Sequence, residues 1–132
     1  MSQELLYLFG SLAILLVLIL VQAASTVLVN GLSYGLGPRD QPAREDAFAG
    51  RAKRTVNNHI EGLVLFGFAI LIVEASGLNS GLTTLGAALY FWARLAYAPI
   101  YLLGVPVIRT IVWSVGLVGT LIILYACGSA AI

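Results

Sequence analysis

Apolar residues dominate this chain, and they fall into four long runs separated by short polar stretches. A helix needs about 20 mostly apolar residues to cross a bilayer. Four such helices are predicted, over about 5–30, 52–75, 82–103 and 107–126. The first run is longer than a removable signal peptide and lacks both a basic start and a small-residue cleavage site. The longest connection, GLSYGLGPRDQPAREDAFAG, spans 31–50 and is rich in Gly, Pro and charge, so it is predicted as a loop. The sequence SGLNS, 76–80, reads as a tight polar turn. Gly104 and Pro106 end the third helix and start the fourth. The expected fold is therefore all-α: a single membrane domain, 1–132, built as a four-transmembrane-helix bundle.

Composition supports this. Of the 132 residues, 60% are hydrophobic and only 10% charged, against about a quarter charged in soluble domains. The net charge is +1, and no basic patch with interleaved aromatics exists, so nucleic acid is not an expected partner. The single cysteine, Cys127, excludes an internal disulfide and a multi-cysteine metal site. It is expected to be a buried, inert thiol. No metal-ligand cluster, phosphate loop or Ser-His-Asp arrangement stands out, and His59, alone on its face, is not a metal site. Arg39, Arg44, Arg51, Lys53 and Arg54 crowd the first loop and the start of the second helix, whereas the 76–80 turn has no basic residue. The positive-inside rule then places the first loop and the third-to-fourth turn in the cytoplasm.

The charges inside the apolar runs carry the chemistry. At 100° per residue, Arg51, Arg54, Asn58 and Glu61 share an arc of about 80°. On the third helix, Tyr90, Arg94, Tyr97 and Tyr101 share a face. On the fourth, Arg109, Trp113, Gly116 and Thr120 do, and the first helix has a weaker line of Gln22, Thr26 and Asn30. Glu61 lies roughly 10 Å beyond Arg54, and Arg94 about 15 Å before Gly104, so Glu61 and Arg94 are expected to meet at one depth. Intramembrane charges should face a partner or a cavity, and the polar faces converge on a cavity open to the cytoplasm. Two readings of the Glu61–Arg94 meeting stand, a structural ion pair or part of a site. Arg51 is either an anchor or a ligand-binding residue. Lys53 is assigned to anchoring and Tyr90 to packing. Arginine forks bind carboxylates, and a carboxylate takes an ammonium group, so the set suits a small molecule carrying both, of which glutathione is one.

The pattern R-x-x-R-x-x-x-N-x-x-E at the start of the second helix, here Arg51, Arg54, Asn58 and Glu61, resembles the signature of the MAPEG family, the membrane-associated proteins of eicosanoid and glutathione metabolism. ARLAYAPIYLLGVPVIRTIVW is similar to the family's third-to-fourth helix region, with Arg94, Tyr101, Arg109 and Thr110 at matching positions. The resemblance implies a homotrimer with glutathione as co-substrate in clefts between subunits and a lipophilic small-molecule substrate arriving from the membrane lipids. It implies that Arg51, Arg54, Asn58, Glu61, Arg94, Tyr97, Tyr101 and Thr110 bind glutathione and that Arg109 is catalytic, stabilising the thiolate. Asn57, Val64, Tyr97 and Trp113 depart from the eicosanoid-specific members, and the short chain with its compact loop is similar to a bacterial, inner-membrane member. The expected function is a glutathione-dependent transferase or peroxidase for lipophilic electrophiles. The alternatives are a non-catalytic lipid-binding or scaffold protein on the same fold and, less favoured, a small multidrug-type transporter.

Overall fold

The computed structural model describes residues 1–131. It consists of α1 (Gln3–Asn30), α2 (Leu32–Leu36), α3 (Ala47–Ser76), α4 (Gly81–Leu102) and α5 (Pro106–Ala130). The four long helices run up and down, and no strand occurs among the described residues. Each start has a local cause. The Ser2 hydroxyl accepts from Leu5 N at α1. Ser80 and Thr83 form a capping box at α4, and Pro106 occupies the first turn of α5, where a missing N–H costs nothing.

Two boundaries differ from the sequence reading: the start of α3, and the end of α5, which reaches Ala130 rather than about 126. α3 begins at Ala47 rather than near 52, because the Asp46 carboxylate accepts from Ala49 N at 2.7 Å and caps the helix. The expected loop also holds the short α2. The later part of the loop is pinned to the end of α1 by Asn30, whose Oδ1 accepts from Arg44 N and whose Nδ2 donates to Arg44 O.

Among the described residues α1, α3 and α5 are long and apolar enough to cross a membrane. α4, expected as a fourth span, is not in that set. At 22 residues it is about 33 Å long, so its length suffices. What lowers its apolarity is one inward face: Tyr90, Arg94 and Tyr97 are all buried against the other helices. α4 packs most extensively on α5. At their crossing Gly86 and Gly119 meet backbone to backbone. A Cβ at Gly86 would lie 2.7 Å from Gly119 O, and one at Gly119 2.8 Å from Tyr90 N. Small residues permit this approach, which supplies dispersion contact where lipid offers no hydrophobic drive. The core of Leu63, Phe66, Ile70, Val73, Ala87, Tyr90 and Ile123 fills the space among α3, α4 and α5, and Cys127 packs half-buried at its edge. Leu12, Leu16, Leu20, Phe68, Ile72 and Leu121 point outward, as a lipid-facing surface requires.

The end of the bundle away from the long loop is tied by carboxylates. Glu4, 2% exposed, accepts from the Thr83 hydroxyl at 2.7 Å and the Thr84 hydroxyl at 3.0 Å. Glu74 accepts from Ser2 Oγ and from Asn79 Nδ2. These bonds join the start of α1 to the start of α4 and to the end of α3.

Candidate functional site

The polar face of α3 is laced to α4 in antiparallel order. Arg51 Nε donates to Leu102 O at 2.9 Å. Arg54 Nε donates to Tyr101 Oη at 3.1 Å. Asn58 Oδ1 accepts from Arg94 Nη1 at 2.7 Å. The i, i+3, i+7 spacing on α3 therefore meets a descending series on α4, and one side of the α3–α4 seam is polar over three turns. Arg51 satisfies a carbonyl in the last turn of α4, where a cation also suits the negative end of the helix dipole. That contact ties the start of α3 to the end of α4.

Rings and guanidinium groups alternate along the inside of this seam. Arg109 stacks its guanidinium carbon 4.8 Å from the Tyr101 ring centre. Tyr101 lies 5.5 Å from Tyr97. Arg94 sits 5.4 Å from the Tyr97 ring and 5.3 Å from Tyr90, and Tyr90 stacks on Phe66 at 3.8 Å with the rings 10° apart. A cation over an aromatic face gains about 2 kcal/mol when desolvated, which offsets part of the cost of holding Arg94 at 4% exposure.

Two adjoining cavities open beside this row. The outer, nearer the α4–α5 turn, measures about 240 Å³ and is walled by Asn58, Tyr97, Tyr101, Arg109, Thr110 and Trp113. The inner measures about 170 Å³ and is walled by Asn58, Glu61, Gly62, Leu65, Tyr90, Arg94, Trp113, Leu117 and Thr120. Asn58 and Trp113 border both. Arg54 reaches the outer cavity's rim through its bond to Tyr101.

The residues singled out in sequence are thus brought together, with two corrections. Glu61 and Arg94 line the same cavity, yet they form no ion pair; among the described residues the only ion pair is Lys53–Glu45. Arg94 turns to Asn58 instead because Gly62 leaves the α3 backbone open. A Cβ at Gly62 would overlap Arg94 Nη2 and lie 2.8 Å from its Cζ. The Gln22, Thr26 and Asn30 line of α1 lies outside both cavities. Thr26 and Asn30 bond backward to the carbonyls of Gln22 and Thr26.

Sequence reasoning missed Gly62 and the polar end of Tyr90. The signal for Gly62 was a small residue directly after the motif glutamate, at the level where Arg94 enters. His59, wholly buried, points elsewhere: its Nε2 lies 3.4 Å from Ser11 O on α1.

Chemically, the outer cavity presents cations and phenols without a carboxylate of its own, and the inner adds one carboxylate at an exposed edge. Such a set has the chemistry to accept anionic groups beside an apolar wall. No curated protein and no solved structure matches the chain. The sequence model of the MAPEG family matches residues 5–129, nearly the whole length. With its all-helical bundle and membrane-crossing helices, the chain belongs to the MAPEG family and is an integral membrane protein.

Proposed function

We propose that the protein is a glutathione-dependent transferase or peroxidase acting on lipophilic electrophiles. The observation that carries this reading is the set of cations around the paired cavities. Arg54, Arg94 and Arg109 are held by tyrosines and an asparagine, with no carboxylate paired to them among the described residues. Two carboxylates and one ammonium group of a peptide thiol match that excess, Glu61 taking the ammonium. Family membership supports a glutathione-related membrane function in general.

In this reading Arg54, Asn58, Tyr97, Tyr101 and Thr110 hold glutathione in the outer cavity, and Arg94 and Glu61 meet it from the inner one. Arg109 stands by the sulfur. A guanidinium there favours thiolate over thiol, and the thiolate is the nucleophile. Its lone pair forms the S–C bond while the leaving group departs with the electron pair. The subunit has the site open on one side, with Glu61 and Trp113 exposed, which supports completion of the cleft by a neighbouring copy in a homotrimer. The loop-side cluster of basic residues supports a cytoplasmic opening, in a bacterial inner membrane.

Isothermal titration of glutathione into detergent-solubilised protein tests the reading. Saturable binding, lost in Arg54→Ala and Glu61→Gln, is expected. Absence of binding at millimolar glutathione would sink it. A second reading, a non-catalytic lipid-binding member, is favoured by a separate apolar groove of about 440 Å³ between α1 and α4, walled by Val17, Leu18, Val21, Leu95, Ala98 and Pro99. It requires lipid binding with no product from a broad panel of electrophiles.

A further inference from the structure

The groove between α1 and α4 is apolar on every wall residue, from Ala13 to Val21 on α1 and from Leu95 to Leu102 on α4. Its floor is Leu18 and Ala98, both buried, with Val56 of α3 behind them. It shares no wall residue with the two polar cavities. α1 and α4 run in the same direction, since Thr83 at the start of one donates to Glu4 at the start of the other. Just before the groove the two helices close on each other. Phe91 packs into Gly10 there, and a Cβ on that glycine would lie 2.6 Å from the ring. The opposite end, at Val21 and Leu102, is the side of the long loop.

Size and depth decide what fits. The groove holds about 440 Å³, and spread over about 12 Å, eight steps along α1, that is a mean cross-section of about 37 Å². A helix of 10–12 Å diameter needs about 80 Å² or more and does not fit inside. An extended hydrocarbon chain, whose carbons touch their neighbours at about 4 Å, needs roughly 15–20 Å². From Trp92, one turn deeper on α4, to Leu102 is about 15 Å, which is half of the hydrocarbon core of about 30 Å. The groove therefore lies within one leaflet. Two arginines stand at its loop-side end. Arg51 Nε donates at 2.9 Å to the carbonyl of Leu102, the last residue of the α4 wall. Arg44 Nη2 lies 3.5 Å from Val29 O, about two turns past Val21 on α1. Neither arginine is paired with a carboxylate among the described residues, and each guanidinium keeps further N–H donors.

We propose that this groove seats one acyl chain of a phospholipid from the loop-side leaflet, with the phosphate held by Arg51 and Arg44. Guanidinium forks match phosphate oxygens, and the two arginines stand where the hydrocarbon core gives way to headgroups. The buried cluster beneath the groove is small, Leu18, Val56 and Ala98. A seated chain therefore adds dispersion contact between α1 and α4 where their own side chains supply little. The seat deepens the lipid-binding reading of this groove. Because the groove is separate from the paired cavities, it holds with or without the transferase reading.

Trp92 supplies the test. It is 60% exposed, lies within about 20° of Pro99 around α4, and shares the chain only with Trp113. In a Trp113→Phe background its fluorescence reports on the groove. Phosphatidylglycerol brominated at mid-chain, titrated into the protein in detergent micelles, should quench it saturably. Val17→Phe fills the groove from an exposed position and should weaken that affinity at least about tenfold, the worth of displacing two methylenes. Leu20→Phe, as exposed as Val17 but off the groove, should leave it unchanged. Arg51→Gln and Arg44→Gln should each weaken it about fivefold and leave brominated diacylglycerol, which has the chains without the phosphate, unaffected. Unchanged affinity in Val17→Phe overturns the seat, as does an equal loss in Leu20→Phe. Equal losses for diacylglycerol and phosphatidylglycerol overturn the phosphate contact. If Val17→Phe instead breaks an oligomer, read from the mass of the solubilised particle, the groove holds a second copy and the lipid seat falls. Glutathione titration with Trp113 in place separates the readings: if glutathione binds neither parent nor Val17→Phe while the quenching result holds, the transferase reading falls and the lipid seat stands.

Discussion

Gly62→Ala would place a methyl carbon on top of Arg94 Nη2 and 2.8 Å from Cζ. The α3 backbone cannot yield without losing helix, so the guanidinium must move, and its 2.7 Å bond to Asn58 Oδ1 breaks. A hydrogen bond to a charged group contributes about 1.5–3 kcal/mol. Against that, alanine favours a helix interior over glycine by about 1 kcal/mol. The net expectation is a loss of about 0.5–2 kcal/mol. The same substitution in an Arg94→Ala background meets no guanidinium, only the Tyr90 hydroxyl at 3.1 Å, which can shift into the vacated space, so the helix term should stabilise by up to about 1 kcal/mol. The sign reversal is the prediction, and a double-mutant cycle isolates it. Equilibrium unfolding of the four proteins in mixed micelles, followed by helical circular dichroism, provides the measurement. Chemical labelling of arginine by phenylglyoxal, read by mass spectrometry, should find Arg94 protected in the parent and reactive in Gly62→Ala. A Gly62→Ala protein that is more stable than its parent, with Arg94 still protected, would refute the argument.

Three further outcomes follow from other contacts. Asp46→Ala should lower stability by about 1 kcal/mol through loss of the α3 cap, with faster amide exchange confined to the first turn of α3. Glu4→Ala should destabilise by about 1–2 kcal/mol, since it leaves the Thr84 hydroxyl without its acceptor and the Thr83 hydroxyl with the Ser80 carbonyl alone; Glu4→Gln, which keeps one carbonyl oxygen, should lose less, and thermal unfolding in detergent ranks the two. Arg109→Ala should lower conjugation turnover by about 100-fold or more while changing glutathione affinity by much less, as titration and steady-state rates together would register; an equal fall in both would assign Arg109 to binding alone.

Much of the site was readable from helical spacing. Arg51, Arg54 and Asn58 recur every three or four residues, and that period alone put them on one edge of α3. Their partners on α4 follow the same rule in the opposite direction. What spacing does not encode is the register between two helices and the rotamer each side chain then adopts. Depth arithmetic placed Glu61 and Arg94 at one level correctly, but the choice of Asn58 over Glu61 depends on the open backbone at Gly62. The start of α3 was legible in principle, as an aspartate two residues before a phenylalanine in EDAFAG, yet the nearby Pro and Gly residues outweighed it. α4 was predicted as an ordinary span. Its polarity is concentrated on one face, which packing conceals, so length and burial describe it better than mean apolarity does.

Gly62 also has a consequence for descent. The hydrogen at its α-carbon and the guanidinium of Arg94 occupy adjoining space that no larger side chain shares. A lineage that replaces the glycine must first move or lose the arginine, and one that loses the arginine no longer needs the glycine. The two positions, 32 residues apart in sequence, should therefore be inherited as a pair, with glycine at 62 wherever arginine stands at 94 and free variation where it does not.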